Sequence, residues 1–143
     1  MEGSMRDLSK YRFEKAQAEV GVADTLFQNG SYSVSLNRSY YAIFHAIRAV
    51  NALDDFESSK HSGVIAHFNQ HHVRTGDFAK ECSKIIRQAT ELREQADYED
   101  FFIASREDAE EVLQKANAFI GEVRNYLVEK GILWDVEPNA DTR

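Results

Sequence analysis

"NRSYYAIFHAIRAV", residues 37–50, carries an apolar and a polar pattern at once. Alternation with a period of two is absent, so a strand reads poorly. At about 100° per residue, Leu36, Tyr40, Ile43, Ile47 and Val50 fall within about 40° of one line, an apolar helical stripe. Arg38, Tyr41, His45 and Arg48 fall on the other side, at roughly 120–200°. Ala42 and Ala49 flank them. A solvated face would more often carry Glu, Lys and Gln. Small residues beside a polar cluster let another backbone approach closely, so a second packing surface is expected, within a bundle or across a dimer.

Outward from this helix the chain reads as helical throughout. Its single Pro and seven Gly over 143 residues leave long stretches without breakers. The first helix is expected over about 5–28, with Leu8, Tyr11, Lys15, Ala18, Val22 and Leu26 along one stripe, and Asn29-Gly30 ends it. The second spans about 32–53. "DDFESSK" is a loop in which Ser58 or Ser59 could cap the third helix, about 60–73. "RTGD" at 74–77 breaks that helix, and a fourth follows to about 97. "YEDFFIA" reads as a connection with buried aromatics. "SRED" at 105–108 has capping-box spacing ahead of a fifth helix that Gly131 stops near residue 130. Residues 132–143 read as a tail that Trp134 could dock, with a disordered end. Helices joined by short loops imply an all-α, antiparallel up-and-down bundle of about five helices in one domain, residues 5–131.

Composition narrows the function. The net charge is −7. Residues 1–50 carry six basic and five acidic side chains, whereas residues 99–143 carry five and eleven. That balance argues against a general electrostatic nucleic-acid binder, and no DNA partner is expected. RNA contact would need a local basic patch in the first two-thirds of the chain. No apolar run approaches the roughly 20 residues of a membrane span. The N-terminal "MEGSMRDLSKYRFEK" has no apolar h-region, so no secretory signal is expected. One cysteine, Cys82, excludes an internal disulfide and fits a reducing cytoplasm and a packed role.

In "RSYYAIFH", Arg38 is followed by polar Ser39 and, after six intervening positions, by His45. This pattern resembles the HEPN superfamily. The ordered segments "RSYYAIFHAIRAV", "KHSGVIAHF", "HHVRTGDF", "LREQADYEDF" and "SREDAEEVLQKANAFI" are similar to a small stand-alone prokaryotic HEPN family, across about residues 8–127. The resemblance implies a HEPN-like bundle and a homodimer in which two Arg–His motifs face one another. It implies metal-independent endoribonuclease chemistry in active members, and pairing with a minimal nucleotidyltransferase as antitoxin. His45 would then be the acid/base and Arg38 the phosphate clamp, with Ser39 and Tyr41 assisting. Some paired toxins carry a modifiable tyrosine two residues after the motif histidine; here that position is Ile47. A non-catalytic nucleotide- or partner-binding module stays open as the alternative.

Other candidates are Arg48, Lys60, His61 and Arg93 for phosphate or nucleotide binding. Lys60 and His61 precede Gly63 near a helix N-terminus, which attracts phosphate or is simply a cap. Arg93 and Asp97, four apart, can pair on one face and, with Tyr98, fix the following turn. His67 and His71 are also four apart, a common ligand spacing. No HExxH pattern and no nearby Cys accompanies them, so that helix reads as polar or interfacial, and neither a metal nor another cofactor is expected.

Overall fold

The computed structural model describes residues 2–134, and 135–143, the end of the expected tail, lie outside them. Among the described residues there are five α-helices and no strand: α1 (Glu2–Gln28), α2 (Tyr32–Ala52), α3 (His61–Phe68), α4 (Lys80–Tyr98) and α5 (Arg106–Glu129). A π turn, Asn69–Val73, extends α3.

The sequence explains most of the boundaries. Gly30 and Gly131 adopt φ of 80° and 77°, the left-handed conformation that closes α1 and α5. The Ser105 hydroxyl accepts the Asp108 N–H at 2.9 Å, the cap expected from "SRED". The α3 cap departs from expectation. Lys60 occupies that position without a side-chain cap bond, and the Ser58 hydroxyl accepts the Lys60 N–H at 3.2 Å. Ser58 comes so close that a Cβ on Gly63 would meet its Oγ at 2.5 Å, so a larger residue there would have to turn the Ser58 hydroxyl aside.

The central helix is α2, which packs against α1, α3, α4 and α5. Leu36, Tyr40, Ile43, Ile47 and Val50 are all buried, as their angular stripe predicts. Ala42, Ala46 and Ala49 are buried as well. Between Ser35 and Ala52 only positions 37, 38, 41, 45 and 48 are more than marginally exposed, a narrow stripe. The second packing surface inferred from the alanines therefore lies inside the bundle, under α1.

The face of α1 that turns inward is not the predicted one. Leu8, Tyr11 and Val22 are exposed, while Ser9, Arg12, Phe13, Ala16, Ala23 and Phe27 are buried. Small residues on both helices allow close approach, and polar contacts fix an antiparallel register. The Ser35 hydroxyl donates to Ala23 C=O at 2.7 Å, and Arg12 Nη1 to Arg48 C=O at 3.3 Å. Inside, Phe13, Phe68, Phe78 and Phe119 join the α2 stripe in the main core.

The α4–α5 connection also differs from expectation. Phe101, at φ 66°, and Ile103 and Tyr98 are exposed, and of the connection's aromatics only Phe102 packs on the core. Trp134, expected to dock the tail, is 71% exposed. No helix among the described residues is long and apolar enough to cross a membrane.

Candidate functional site

The antiparallel register of α1 on α2 builds the site. It carries Glu19 over the two polar positions seven apart on α2. Nη1 of Arg38 donates to both Glu19 oxygens at 3.1 Å, while its Nε and Nη2 donate to Asn37 Oδ1 at 3.1 and 2.6 Å. Nε2 of His45 lies 3.7 Å from Glu19 Oε2, outside hydrogen-bond range. Glu19 is thus committed to Arg38 and only neighbours the imidazole.

His45 is 13% exposed and its Nδ1 has no hydrogen-bond partner. Burial, then Lys15, Arg48, Arg38 and Arg12, push its pKa down to about 4. An ordinary histidine titrates near neutrality. Burial beneath the neighbouring helices is the largest cause, and the cations add to it, Lys15 and Arg12 from α1 and Arg48 and Arg38 from α2. His45 is therefore a neutral imidazole at neutral pH, with its lone pair available but a weaker base than an ordinary histidine.

Tyr41 is the hub of the exposed stripe. The Arg38 guanidinium sits 5.0 Å from its ring, and the rings of His45 and His61 lie 6.2 and 5.8 Å away. Arg93 lies 5.8 Å from the same ring and 4.4 Å over that of Tyr40. His61 stacks on Phe44 at 4.1 Å, and its Nδ1 meets the Tyr40 hydroxyl at 2.9 Å. Burial, Arg93 and Arg48 hold its pKa below the usual histidine value. The fold thus gathers Arg38, Tyr41, His45, His61 and Arg93, drawn from three helices.

Other candidates fall elsewhere. Ser39 is fully buried with an unpartnered hydroxyl, turned away from the Arg38 and His45 stripe. Arg48 joins Arg12 in gripping Glu57, at 3.4 and 2.8 Å. Lys60 is exposed at the start of α3. Arg93 pairs with Asp97 at 3.5 Å as its spacing suggested, but Tyr98 beside it stays exposed. Arg93 and His61 line a groove of about 490 Å³ between α2, α3 and α4, with Tyr40, Ile65, Ile86 and Thr90. Cys82 is buried, and burial with Glu122 and Glu81 nearby pushes its thiol up to about 11.

Sequence reasoning missed Glu19, Lys15 and Arg12. A signal was present: Ser9, Arg12, Ala16, Glu19 and Ala23 recur at three- and four-residue intervals, a small-and-polar face matching the alanines of α2.

A helical bundle whose central helix presents an Arg and a His seven apart, on a strip left by its neighbours, defines a class. The HEPN domain model matches residues 9–126, and the chain belongs to that family. A Methanocaldococcus jannaschii protein named "Putative toxin MJ0142" is 30% identical over 90% of this chain and 86% of its own length. A second from that organism, "Putative toxin MJ0605", is 32% identical over 81% and 86%. A Thermotoga maritima "UPF0332 protein" is 30% identical over 82% and 89%.

Proposed function

We propose that this chain is a metal-independent HEPN endoribonuclease, the toxin of a pair whose antitoxin is a nucleotidyltransferase. One observation carries the catalytic part: Arg38 and the largely buried His45 share one strip of α2 around Tyr41, with Arg48, Lys15 and Arg12 acting on His45 as well, in a chain of net charge −7. These cations support RNA contact there, once the pairs of Arg38 with Glu19 and of Arg12 and Arg48 with Glu57 give way to phosphate. The names of two relatives support the toxin part.

The chemistry follows from the groups present. His45 Nε2 accepts the proton of an RNA 2′-OH, whose oxygen then bonds the adjacent phosphorus. The Arg38 fork leaves Glu19 and takes the non-bridging phosphate oxygens, stabilising the charge that develops on them. The bond from phosphorus to the 5′-oxygen breaks, and a proton donor completes the 5′-OH. The proton that His45 has just accepted is passed on, through water, to that leaving oxygen, which returns the neutral imidazole. The products are a 2′,3′-cyclic phosphate and a 5′-OH end. Tyr41 positions Arg38 through its ring.

A second reading is a non-catalytic nucleotide- or partner-binding module. It is favoured by the engagement of Arg38 with Glu19 and Asn37, and by the groove flanked by Arg93 and His61. Incubating RNA with purified protein and with His45→Ala separates the two. Cleavage by the first and not the second supports the enzyme; equal cleavage or none supports the module.

A further inference from the structure

A second cluster sits beyond the C-terminal end of α2. Asp54 Oδ2 lies 2.9 Å from His67 Nε2 and 2.6 Å from His72 Nε2. The other ring nitrogen of His72, Nδ1, is 3.1 Å from Asp77 Oδ2. His67 is held flat against Phe56, ring centres 3.9 Å apart and 14° from parallel. His72 is buried and His67 half-buried.

The π turn makes this convergence. In a continuous α-helix, residues 67 and 72 would point about 140° apart, whereas 67 and 71 would nearly align. The Arg74 N–H reaches Asn69 C=O at 2.9 Å, a five-residue bond, and with this turn His72 as well as His71 lies beside His67, ring centres 6.3 and 4.3 Å away. Such turns cost regular hydrogen bonding and concentrate at functional sites.

We propose that Asp54, His67 and His72 bind a divalent transition-metal cation of the zinc type, with Asp77 as the residue that positions His72. Their three ligand atoms all lie within 4.8 Å of one another. Two imidazole nitrogens and one carboxylate oxygen, with a further position left for water, are a donor set that zinc accepts. Metal–ligand bonds of about 2.0–2.2 Å need ligand atoms roughly 3.4 Å apart, so the Asp54 oxygen must withdraw by less than about 1 Å. Asp54 is a third exposed and lies in a turn, so this movement is open to it. Asp77 accepts from His72 Nδ1–H, the carboxylate–histidine arrangement that commonly backs metal ligands, and leaves Nε2 as the nitrogen facing Asp54, where the cation would replace that contact. The cation would tie the end of α2 to α3 and the π turn.

The test is calorimetric titration of the full chain with Zn²⁺, with visible absorption of Co²⁺ as an independent readout. One equivalent is expected to bind per chain, with Co²⁺ giving ligand-field bands and Zn²⁺ raising the melting temperature. Asp54→Ala and His67→Ala, whose folding circular dichroism verifies, should each weaken binding by at least about tenfold, and Asp77→Asn by about 10–100-fold. His71→Ala should leave affinity nearly unchanged. The proposal is overturned by absence of uptake, by uptake indifferent to Asp54→Ala and His67→Ala, or by loss in His71→Ala with retention in Asp54→Ala.

Discussion

Glu19 holds Arg38 through both carboxylate oxygens, each 3.1 Å from Nη1, and so occupies the place a phosphate would take. A phosphate must displace it, and the exchange costs the pair's own energy. For a partly exposed pair that is of order 0.5–1 kcal/mol. Glu19→Gln should therefore tighten RNA binding about two- to fivefold, read as a lower KM or a lower Kd by fluorescence anisotropy. Weaker binding by Glu19→Gln would mean that the carboxylate orients Arg38 productively.

The depressed pKa of His45 makes stability fall in acid. Its folded value is about 4 against an ordinary 6.5, so between these the unfolded chain binds more protons. Stability from this group is complete above pH 6.5 and is lost as pH falls towards 4. Each pKa unit corresponds to roughly 1.4 kcal/mol, so the complete loss is of order 3–4 kcal/mol. Urea unfolding at pH 7.5, 5.5 and 4.5 measures it, and His45→Gln should flatten the profile.

Cys82 should resist thiol reagents. It is buried, and its thiol is pushed up to about 11, so little thiolate exists at neutral pH. Labelling by an aromatic disulfide reagent should occur only at the rate of unfolding, and rapid stoichiometric labelling of the native chain would contradict this packing.

Phe119 is fully buried against Phe68 and Phe78, with ring centres 5.7 and 6.4 Å away. Phe119→Ala should cost about 3–5 kcal/mol by opening a cavity where α5 meets the end of α3. Chemical denaturation reads this directly, and a loss under about 1 kcal/mol would mean that the cluster closes over the gap.

Local periodicity made α2 readable, because its stripe is set by its own 3.6-residue turn. Arg38, Tyr41 and His45 do lie on one strip, and the five helices fall within a few residues of their expected bounds. What remained hidden depends on tertiary pairing. The buried face of α1 is built from Ser9, Arg12, Ala16 and Ala23, so hydrophobicity pointed to the wrong stripe. Glu19 meets Arg38 only through the interhelical register. The His67 and His72 pairing arises from a π turn that a four-residue spacing rule cannot anticipate. In the α4–α5 connection, apolar letters suggested burial, but the left-handed backbone at Phe101 accompanies a side chain fully exposed to solvent.

The ribonuclease reading rests most directly on His45. Purified chain should convert single-stranded RNA into fragments ending in 2′,3′-cyclic phosphate, in the presence of a metal chelator. His45→Ala and Arg38→Ala should each lower the rate by about 10²–10⁴-fold while retaining the helical circular dichroism of the parent. Cleavage at the parental rate by a folded His45→Ala protein, or no cleavage by the parent, would contradict it.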